Sequence, residues 1–569
     1  MTKVLKDGTV LTFDDTAQSI RVLPKASILF ENDRITAISE DPDFPVPQDA
    51  EIINVHGKIV TPGFVNTNIH TLQTVYRTIG PNVFLSQYFE WLGHISPATA
   101  AFTPDDVYIS SLEGYLEGLH GEVTSYVEHA HNNWSADVVE PGFNAAVDSG
   151  ARVWWCYDVA DREGFEIKQQ WEALGKIGDK VTEGSPVQLG LSVDGLSGLF
   201  GNDPDGHLGY MRDMVRKLNV QAITQASLGR SLAGSIPLQE SDYGKIDGYL
   251  SESDLFRTPK FEIYSYRPRN ALACVEHQRH EIAYRKRLHV EAKAAGQSTE
   301  AIPPLTPMAE KLPESRDRVG FCIFLASESF RAGFIGMQRK ALGTGPQWIY
   351  FDRRNPSPWP ARKIAPSDIN LSTLQTTNLP IIYSHAPFLA DSDQKALREN
   401  NHFISITPES EFHFGHGQTT GHLIIDQASL GLDTNWTFSG DMLSQTRLWL
   451  QNVRLTKPHR TLETGTLPRT NPFPVEEAFL MATRQGGRAL RHDDIGVIKV
   501  GAKADLVVFN GDSPNMLGWS DPIAAVVLHA NPGDIEHVLV DEEFRKRDFK
   551  LVDKVLAWGE GAGEVFGGF

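Results

Sequence analysis

Residues 61–73 read TPGFVNTNIHTLQ, an apolar run that turns polar towards its end. Side chains two positions apart on a strand share a face, so Asn68 and His70 are predicted to project together from one strand end. In parallel barrels, chemistry takes place at the C-terminal ends of the strands. The pair Asn68 and His70 is therefore the first part of a predicted site.

Short apolar runs recur along the chain, and helix-like stretches follow them. Strands that alternate with helices indicate a parallel sheet, and this number of units is typical of a (β/α)8 TIM-like barrel. The runs lie at residues 58–60, 123–127, 151–155, 187–191, 221–224 and 380–383.

Both ends of the chain are rich in strand-forming residues. Residues 26–30 and 34–38 flank a turn and predict a hairpin, and residues 503–509 and 535–540 predict two further strands. We expect residues 1–60 and 487–569 to build one small β-sandwich module, with the barrel at 61–486. Proline, tyrosine and mixed charge at about 234–317 predict an insertion or lid within the barrel.

Composition excludes several classes of protein. The 569 residues are 41% hydrophobic and carry a formal net charge of -19, which argues against a nucleic-acid partner. Cys156, Cys274 and Cys322 are too widely spaced for a CxxC motif and suit a reducing compartment. Because no signal peptide or membrane-length apolar run is present, we expect a cytoplasmic protein without a membrane partner.

Several motifs in a fixed order resemble the amidohydrolase superfamily, in its cytosine-deaminase-like and chlorohydrolase-like branch. The resemblance extends over nearly the whole chain except the predicted insertion. Beyond residues 61–73, the motifs are YFEWL at 88–92, FTPDDVY at 102–108, EHAHNN at 128–133, TPESE at 407–411, GHG at 415–417, LD at 432–433, SGDM at 439–442 and residues 496–506.

The resemblance implies a set of catalytic residues. Such enzymes hold one divalent metal, commonly zinc or iron, with a His-x-His pair, a strand-five histidine and a strand-eight aspartate, while a strand-six histidine contacts the metal-bound water. His70, His385 and Asp433 match this pattern and are the predicted catalytic residues. Asn68 replaces the first histidine, and residues 220–228 of strand five contain no histidine.

Two of the four implied metal ligands are therefore missing. A metal would be held by His70 and Asp433, and the incomplete set slightly favours a metal-free site. His129 or His131 would have to complete a metal site, although a hydrogen-bonded structural role is the better interpretation of both.

Other residues are predicted to bind substrate. Asn68 and Gln225 offer carboxamides, and the resemblance places Trp91, His131 and His416 at the pocket. Core packing remains an equal alternative for Trp91, and a structural role remains one for His416. The segment 409–422, rich in glutamate and histidine, matches no compact zinc pattern and is interpreted as pocket lining.

The predicted function is hydrolysis of a C–N or related bond in a small cyclic, nitrogen-containing molecule. Two alternatives stay open: a metal-independent acid-base enzyme such as a lyase, decarboxylase, isomerase or cyclase, and a non-catalytic binding protein. A small-molecule substrate is the expected partner, and the sequence leaves a homo-oligomer open.

Overall fold

The computed structural model describes residues 2–552 apart from short gaps and one long one. The gaps are residues 84, 86–87, 89–91, 94–95, 161, 163, 183, 193–213, 215, 228–379, 386–388, 390 and 417–420. The predicted insertion at about 234–317, Trp91, Cys274 and Cys322 therefore lie outside the described residues.

The N-terminal segment forms five strands. The strands are β1 (Lys3–Asp14), β2 (Ser19–Glu31), β3 (Arg34–Ser39), β4 (Glu51–Asn54) and β5 (Ile59–Pro62). The predicted hairpin is confirmed, because β2 and β3 pair antiparallel across a turn at Asn32 and Asp33. Both turn residues have positive φ angles, 49° and 74°, which asparagine and aspartate adopt more readily than most residues.

Eight parallel strands form the barrel and confirm the predicted fold class. They are β6 (Phe64–Ile69), β7 (Val123–Ala130), β8 (Arg152–Asp158), β9 (Val187–Ser192), β10 (Ala222–Ser227), β11 (Ile381–His385), β12 (Phe403–Ile406) and β13 (Ala428–Leu430). Every residue of β7 and β8 is buried, as expected for parallel strands covered on both faces.

The barrel closes between its first and last strands. Asp433 donates its backbone N–H to the Asn68 carbonyl at 2.7 Å, and the His70 N–H donates to the Asp433 carbonyl at 2.8 Å. Inside the barrel, the Thr67 hydroxyl lies 2.7 Å from Ser405 Oγ and 2.9 Å from Ser429 Oγ. The closure brings the ends of strands one and eight together.

The C-terminal segment completes the terminal sheet with β14 (Leu506–Phe509), β15 (Ile535–Val540), β16 (Glu543–Arg547) and β17 (Lys550–Leu551). The strand order is β17-β16-β15-β14-β5-β1-β2-β3, with β4 paired to β1, so both termini build one mixed sheet. The run at 58–60 belongs to this sheet and not to the barrel series, because β5 pairs with β1 and β14. Gly63 separates the two sheets, and a Cβ there would lie 1.9 Å from Thr124 Oγ1.

Helices connect the strands. The α-helices include α1 (Pro104–His120), α2 (Val139–Ser149), α3 (Ile167–Gly178), α4 (Asp391–Asn400), α5 (Pro408–His413), α6 (Met442–Thr456), α7 (His459–Glu463), α8 (Val475–Ala482), α9 (Arg484–Ala489) and α10 (Pro522–Ala524). Short 3-10 helices lie at Thr71–Tyr76, Pro97–Ala101, Ala136–Val138, Gly421–Leu423, Ile425–Gln427 and Pro532–Asp534, with one π-helical turn at Ala525–His529.

Local sequence explains where these helices begin. Thr103 caps α1 in a capping box with Asp106, and Pro104 occupies its first turn. No helix within the described ranges is long and apolar enough to cross a lipid bilayer.

Candidate active site

Asn68 and His70 end the first barrel strand beside Asp433, which follows the last one. Asn68 Nδ2 donates to Asp433 Oδ1 at 3.2 Å, and His70 Nε2 lies 3.3 Å from the same oxygen. All three side chains are buried. The strand spacing places the amide and imidazole on one face, and barrel closure brings the carboxylate to them.

His385 ends β11 and approaches Asp433 from strand six. His385 Nε2 lies 3.5 Å from Asp433 Oδ1, and Nδ1 lies 2.8 Å from Thr407 Oγ1. His385 and Asp433 each have a φ of +68°, in the left-handed region that non-glycine residues seldom adopt. The strained backbone therefore lies at the two positions whose side chains meet. Backbone strain of this kind is common at functional sites.

Asp433 is the common hydrogen-bond partner of the site. Ser410 Oγ, in α5, donates to Asp433 Oδ2 at 2.5 Å. Burial alone would raise the pKa of Asp433, but His385, His70 and the Ser410 hydrogen bond hold that pKa well below its usual range. The carboxylate therefore stays ionised and organises the residues around it.

The orientation of His70 is set by a backbone carbonyl. His70 Nδ1 lies 2.9 Å from the His129 carbonyl oxygen, which only accepts hydrogen bonds. His70 Nδ1 therefore carries a proton, and Nε2 is the nitrogen that faces Asp433. The His131 ring stacks on His70 at 4.3 Å between centroids.

Both ring nitrogens of His129 contact hydroxyl groups on other barrel strands. Its Nδ1 lies 2.8 Å from Thr224 Oγ1 on β10, and its Nε2 hydrogen-bonds Ser192 at the end of β9. This imidazole thus bridges strands two, four and five through hydroxyl groups. Both ring nitrogens have hydrogen-bond partners, which favours the structural interpretation of His129.

His416 lies next to His385. The two rings meet edge to face at 4.6 Å, and neither ring nitrogen of His416 has a hydrogen-bond partner within the described part of the chain. Burial, together with the neighbouring His385, lowers the pKa of His416 to about 3. His416 is therefore a neutral imidazole beside the reactive groups at neutral pH.

A cluster of aromatic side chains lies beside His416. Phe414 contacts His416, Tyr88 and Trp436, with ring centroids 6.2, 5.9 and 5.8 Å away. Gln73 Nε2 donates to the Tyr88 hydroxyl at 2.5 Å. These side chains give the mouth an apolar wall beside its imidazoles.

Two predicted substrate-binding residues have no described side chain. Trp91 lies outside the described residues, and Gln225 is described only as part of β10. Sequence reasoning missed Thr407 and Ser410 as site residues, and treated Glu411 only as one of several acidic residues in a loop. The available signal was their position in TPESE, directly after β12, where side chains reach a barrel mouth.

The potential metal ligands at the mouth do not converge tightly. Within the described part of the chain, the group of three such side chains whose ligand atoms lie within 4.8 Å of one another is Glu536, His537 and Asp548, in the terminal sheet. Lys58 Nζ lies 2.5 Å from Glu536 Oε1 there and already neutralises it. His70, His385 and Asp433 instead meet at one carboxylate oxygen.

Several known proteins are similar to this chain in sequence. Residues 383–553 match the model of the Amidohydrolase family. A 5-methylthioadenosine/S-adenosylhomocysteine deaminase of Dictyoglomus turgidum is 22% identical, over 94% of this chain and 92% of its own length. A 5'-deoxyadenosine deaminase of Methanosarcina mazei is 29% identical over 30% of this chain and 39% of its own.

Solved structures share the whole fold. An adenosine deaminase from Xanthomonas campestris with bound zinc has a TM-score of 0.62 at 14% identity, covering 99% of this chain and 98% of its own. An atrazine chlorohydrolase from Arthrobacter aurescens TC1, complexed with zinc, has a TM-score of 0.61 at 14% identity, covering 98% and 99%. At such low identity, these likenesses establish the fold alone.

Proposed function

We propose that this chain is an amidohydrolase-superfamily enzyme and that it hydrolyses a C–N or related bond in a small cyclic, nitrogen-containing molecule. The observation that carries this proposal is the convergence of two imidazoles on one ionised, buried carboxylate. His70 Nε2 and His385 Nε2 approach Asp433 Oδ1 at 3.3 and 3.5 Å. The names of the similar deaminases support the reaction class.

The proposed protonation states follow from hydrogen bonding. His70 already carries a proton on Nδ1, so a neutral ring would turn an Nε2 lone pair towards the anionic oxygen of Asp433. A second proton on Nε2 removes this repulsion and makes an imidazolium–carboxylate pair. His385 then remains as the imidazole available to accept a proton.

The proposed reaction uses these groups as base and acid. His385 Nε2 takes a proton from water while the water oxygen bonds to the substrate carbon. The imidazolium of His70 donates its proton to the departing nitrogen as the C–N bond breaks, which releases ammonia or an amine. Asp433 stays ionised throughout and holds both rings in place.

Substrate binding is assigned to the polar groups that surround this centre. Asn68 Oδ1 is buried and has no hydrogen-bond partner in the described ranges, so it is placed to accept an N–H of the substrate. His416 offers a neutral ring that both donates and accepts. His131, Gln225 and Trp91 complete the proposed substrate-binding residues.

Zinc or iron, the ion that the resemblance implies, does not fit this donor set. Asn68 uses its amide N–H on Asp433 Oδ1, the atom that a metal would take, and β10 supplies no histidine. His129 is occupied by Ser192 and Thr224. The proposed reaction therefore has no metal-dependent step, and His70 and Asp433 are the residues that would contact an ion.

An acid-base reaction without hydrolysis is the second candidate. It is favoured by Asn68, which stands where the resemblance implies a metal-binding histidine. The same His70, His385 and Asp433 would move protons in a lyase, decarboxylase, isomerase or cyclase reaction. Release of ammonia or halide distinguishes hydrolysis from these reactions.

The proposal also covers the location, the partners and the domains of the enzyme. We place it in the cytoplasm, acting on a small molecule and not on nucleic acid, as a homo-oligomer or a single chain. We also retain the proposed domains, with the barrel at 61–486, the β module at 1–60 and 487–569, and the insertion at about 234–317.

The test is a substrate panel with the purified full-length protein. Release of ammonia or chloride is measured with 5'-methylthioadenosine, S-adenosylhomocysteine, 5'-deoxyadenosine, adenosine, guanine and atrazine. Turnover that disappears in His385→Ala supports the proposal. Turnover that survives this substitution contradicts the site, and products formed without ammonia, amine or chloride favour the second candidate.

A further inference from the structure

We propose that Glu117, in α1, is a positioning residue that holds together the two chain segments directly following His70 and Asp433. These segments are residues 71–78, after the first barrel strand, and 434–440, after the last one. The inference rests on the proposed function, because it concerns the geometry in which His70 and Asp433 would act. It adds a residue that no sequence motif singled out.

The Glu117 carboxylate accepts hydrogen bonds from both segments. Gly440 donates its backbone N–H to Glu117 Oε1 at 3.1 Å, and Asn435 Nδ2 donates to Glu117 Oε2 at 2.7 Å. From the first segment, Arg77 Nη2 donates to the same Oε2 at 2.7 Å. A single side chain of α1 therefore joins the segment after strand one to the segment after strand eight.

Asn435 extends this link into the interior. Because its Nδ2 donates to a carboxylate, which only accepts, its Oδ1 must face the other way. There the Thr74 hydroxyl lies 2.8 Å from Asn435 Oδ1 and 2.8 Å from the Thr71 carbonyl oxygen. Thr74 and Asn435 are both buried, so Glu117 fixes the amide that contacts the first segment.

The same two segments carry part of the aromatic wall. The rings of Tyr76 and Trp436 meet edge to face at 6.2 Å, and Thr78 donates its backbone N–H to the Trp436 carbonyl oxygen at 3.2 Å. A shift of one segment against the other would therefore move this wall. It would also change the 3.3 Å distance between His70 Nε2 and Asp433 Oδ1.

Close approach and burial separate this link from an ordinary surface ion pair. A Cβ at Gly440 would lie 3.0 Å from the Glu117 carboxyl carbon, so glycine permits the approach that the hydrogen bond needs. The Arg77 side chain is 43% exposed and also contacts Glu113, and such exposed pairs contribute little. The buried link through Asn435 is the part that sets the geometry.

Matched variants isolate that link. Glu117→Gln keeps the shape but puts an N–H2 group where an acceptor oxygen was, so it cannot accept from all three donors. Glu113→Gln is the control, because Glu113 lies one turn earlier in α1 and accepts from the same Arg77 at 3.2 Å. Among the residues that the structure describes, Glu113 makes no hydrogen bond to 434–440. Thr74→Val breaks the link from the other side at nearly constant shape.

The direct readout is hydrogen exchange of the full-length protein, followed by mass spectrometry of peptides that cover 71–78 and 434–440. This measurement needs no substrate. In Glu117→Gln we expect exchange to become about 10-fold faster in both segments, as loss of a hydrogen bond to a charged group implies. Glu113→Gln should exchange like the wild type.

Kinetics test whether the link serves the reaction. With a compound of the panel that the wild type turns over, we expect Glu117→Gln to lower kcat about 10-fold, because small displacements of reacting groups are costly. Glu113→Gln should retain the wild-type kcat. Since Glu117 and Thr74 act through the same amide, the effects of Glu117→Gln and Thr74→Val on kcat should not add.

The inference is overturned if Glu117→Gln speeds exchange in 434–440 alone, or if Glu113→Gln has the same effect as Glu117→Gln. A lower melting temperature with unchanged kcat in Glu117→Gln would also overturn it, since a purely structural contact behaves in that way. Failure of the proposed function looks different. If the wild type turns over no compound of the panel, the hydrolase proposal fails, whereas hydrogen exchange still decides whether Glu117 couples the two segments.

Discussion

Two buried groups of charged side chains lie at opposite ends of the barrel strands, and they differ in how completely they are paired. At the start of β8, Arg152 Nε and Nη2 donate to the two oxygens of Asp505 at 2.8 and 3.0 Å, and Nη2 also reaches Asp541. Lys503 adds a second cation beside Asp541. At the C-terminal ends of the barrel strands, Asp433 contacts His70, His385, Asn68 and Ser410.

The difference lies in the atoms left without a partner. Both carboxylate oxygens of Asp505 accept from Arg152, in the bidentate geometry that makes such pairs strong. At the mouth, Asn68 Oδ1, Glu411 Oε2 and both ring nitrogens of His416 have no hydrogen-bond partner among the residues that the structure describes. Since buried polar groups are normally satisfied, the paired group is suited to holding the fold and the unpaired one to receiving a substrate.

The largest expected effect is the loss of activity when His385 or Asp433 is replaced. We expect His385→Ala and Asp433→Ala each to lower kcat by about 10³-fold or more, because each removes a proton-handling group or its partner. The melting temperature should stay near that of the wild type, since these side chains face the mouth. Steady-state kinetics and thermal unfolding measure the two quantities.

The control for this pair is His459→Ala, because His459 is exposed on α7. It should leave kcat and the melting temperature as they are. Full activity in both mouth variants would remove the contrast between the two groups and the site assignment with it.

The next effect concerns the paired group. We expect Arg152→Ala to lower the free energy of unfolding by about 3 kcal/mol, because it leaves Asp505 and Asp541 buried without their cation. The kcat of the folded fraction should change little. Denaturant unfolding measures the loss.

Arg398→Ala is a matched control for Arg152→Ala. Arg398 makes an equally well-formed bidentate pair with Asp426, at 2.7 and 2.8 Å, but on the surface. Surface pairs contribute about 1 kcal/mol or less. Equal losses in the two variants would show that burial of the Arg152 pair is irrelevant.

A third variant tests the metal site. Asn68→His together with Gln225→His restores the number of ligands that the family resemblance implies, so we expect the metal content of the purified protein to rise. Elemental analysis of wild type and variant, before and after a strong chelator, measures it. Near-stoichiometric zinc or iron in the wild type, with activity lost on chelation, would refute the metal-free mechanism.

The smallest expected effects are changes in how stability depends on pH. The pKa of His416 falls from 6.5 to about 3 on folding. Between these values the unfolded chain binds more protons, so the stability that His416 contributes is present above pH 6.5 and is lost as pH falls. His416→Asn should make stability depend less steeply on pH on the acid side, by at most about 1.4 kcal/mol per pH unit.

Glu411 should act in the opposite direction. Its pKa rises from 4.5 to about 8, so the folded state binds more protons between these values and stability falls as pH rises. Glu411→Gln should therefore stabilise the protein more at pH 8 than at pH 5. If the stability of the wild type and of both variants depended on pH in the same way, the burial of these two groups would be contradicted.

Much of the fold was predictable from sequence, because apolar runs and strand ends carry local signals. The barrel, the strand-rich termini and the family resemblance are confirmed. The run at 58–60 was ambiguous, since a short apolar strand suits either sheet and its hydrogen-bond partners in β1 and β14 are distant in sequence.

The candidate site was predictable in part. His70, His385 and Asp433 were found by motif, and the structure places them together, whereas their catalytic roles remain proposals. Thr407, Ser410 and Glu411 gave no comparable signal, because their importance depends on contacts with His385 and Asp433 across the barrel. Such contacts between separate strands are not visible in one sequence.

The left-handed backbone at His385 and Asp433 has a consequence for protein engineering. Each non-glycine residue in this conformation costs about 1 kcal/mol or more, which glycine would largely recover. A library selected for heat resistance alone should therefore accumulate glycine at positions 385 and 433 and lose both proposed catalytic residues. A screen that also demands turnover would have to find its stabilising substitutions elsewhere on the barrel.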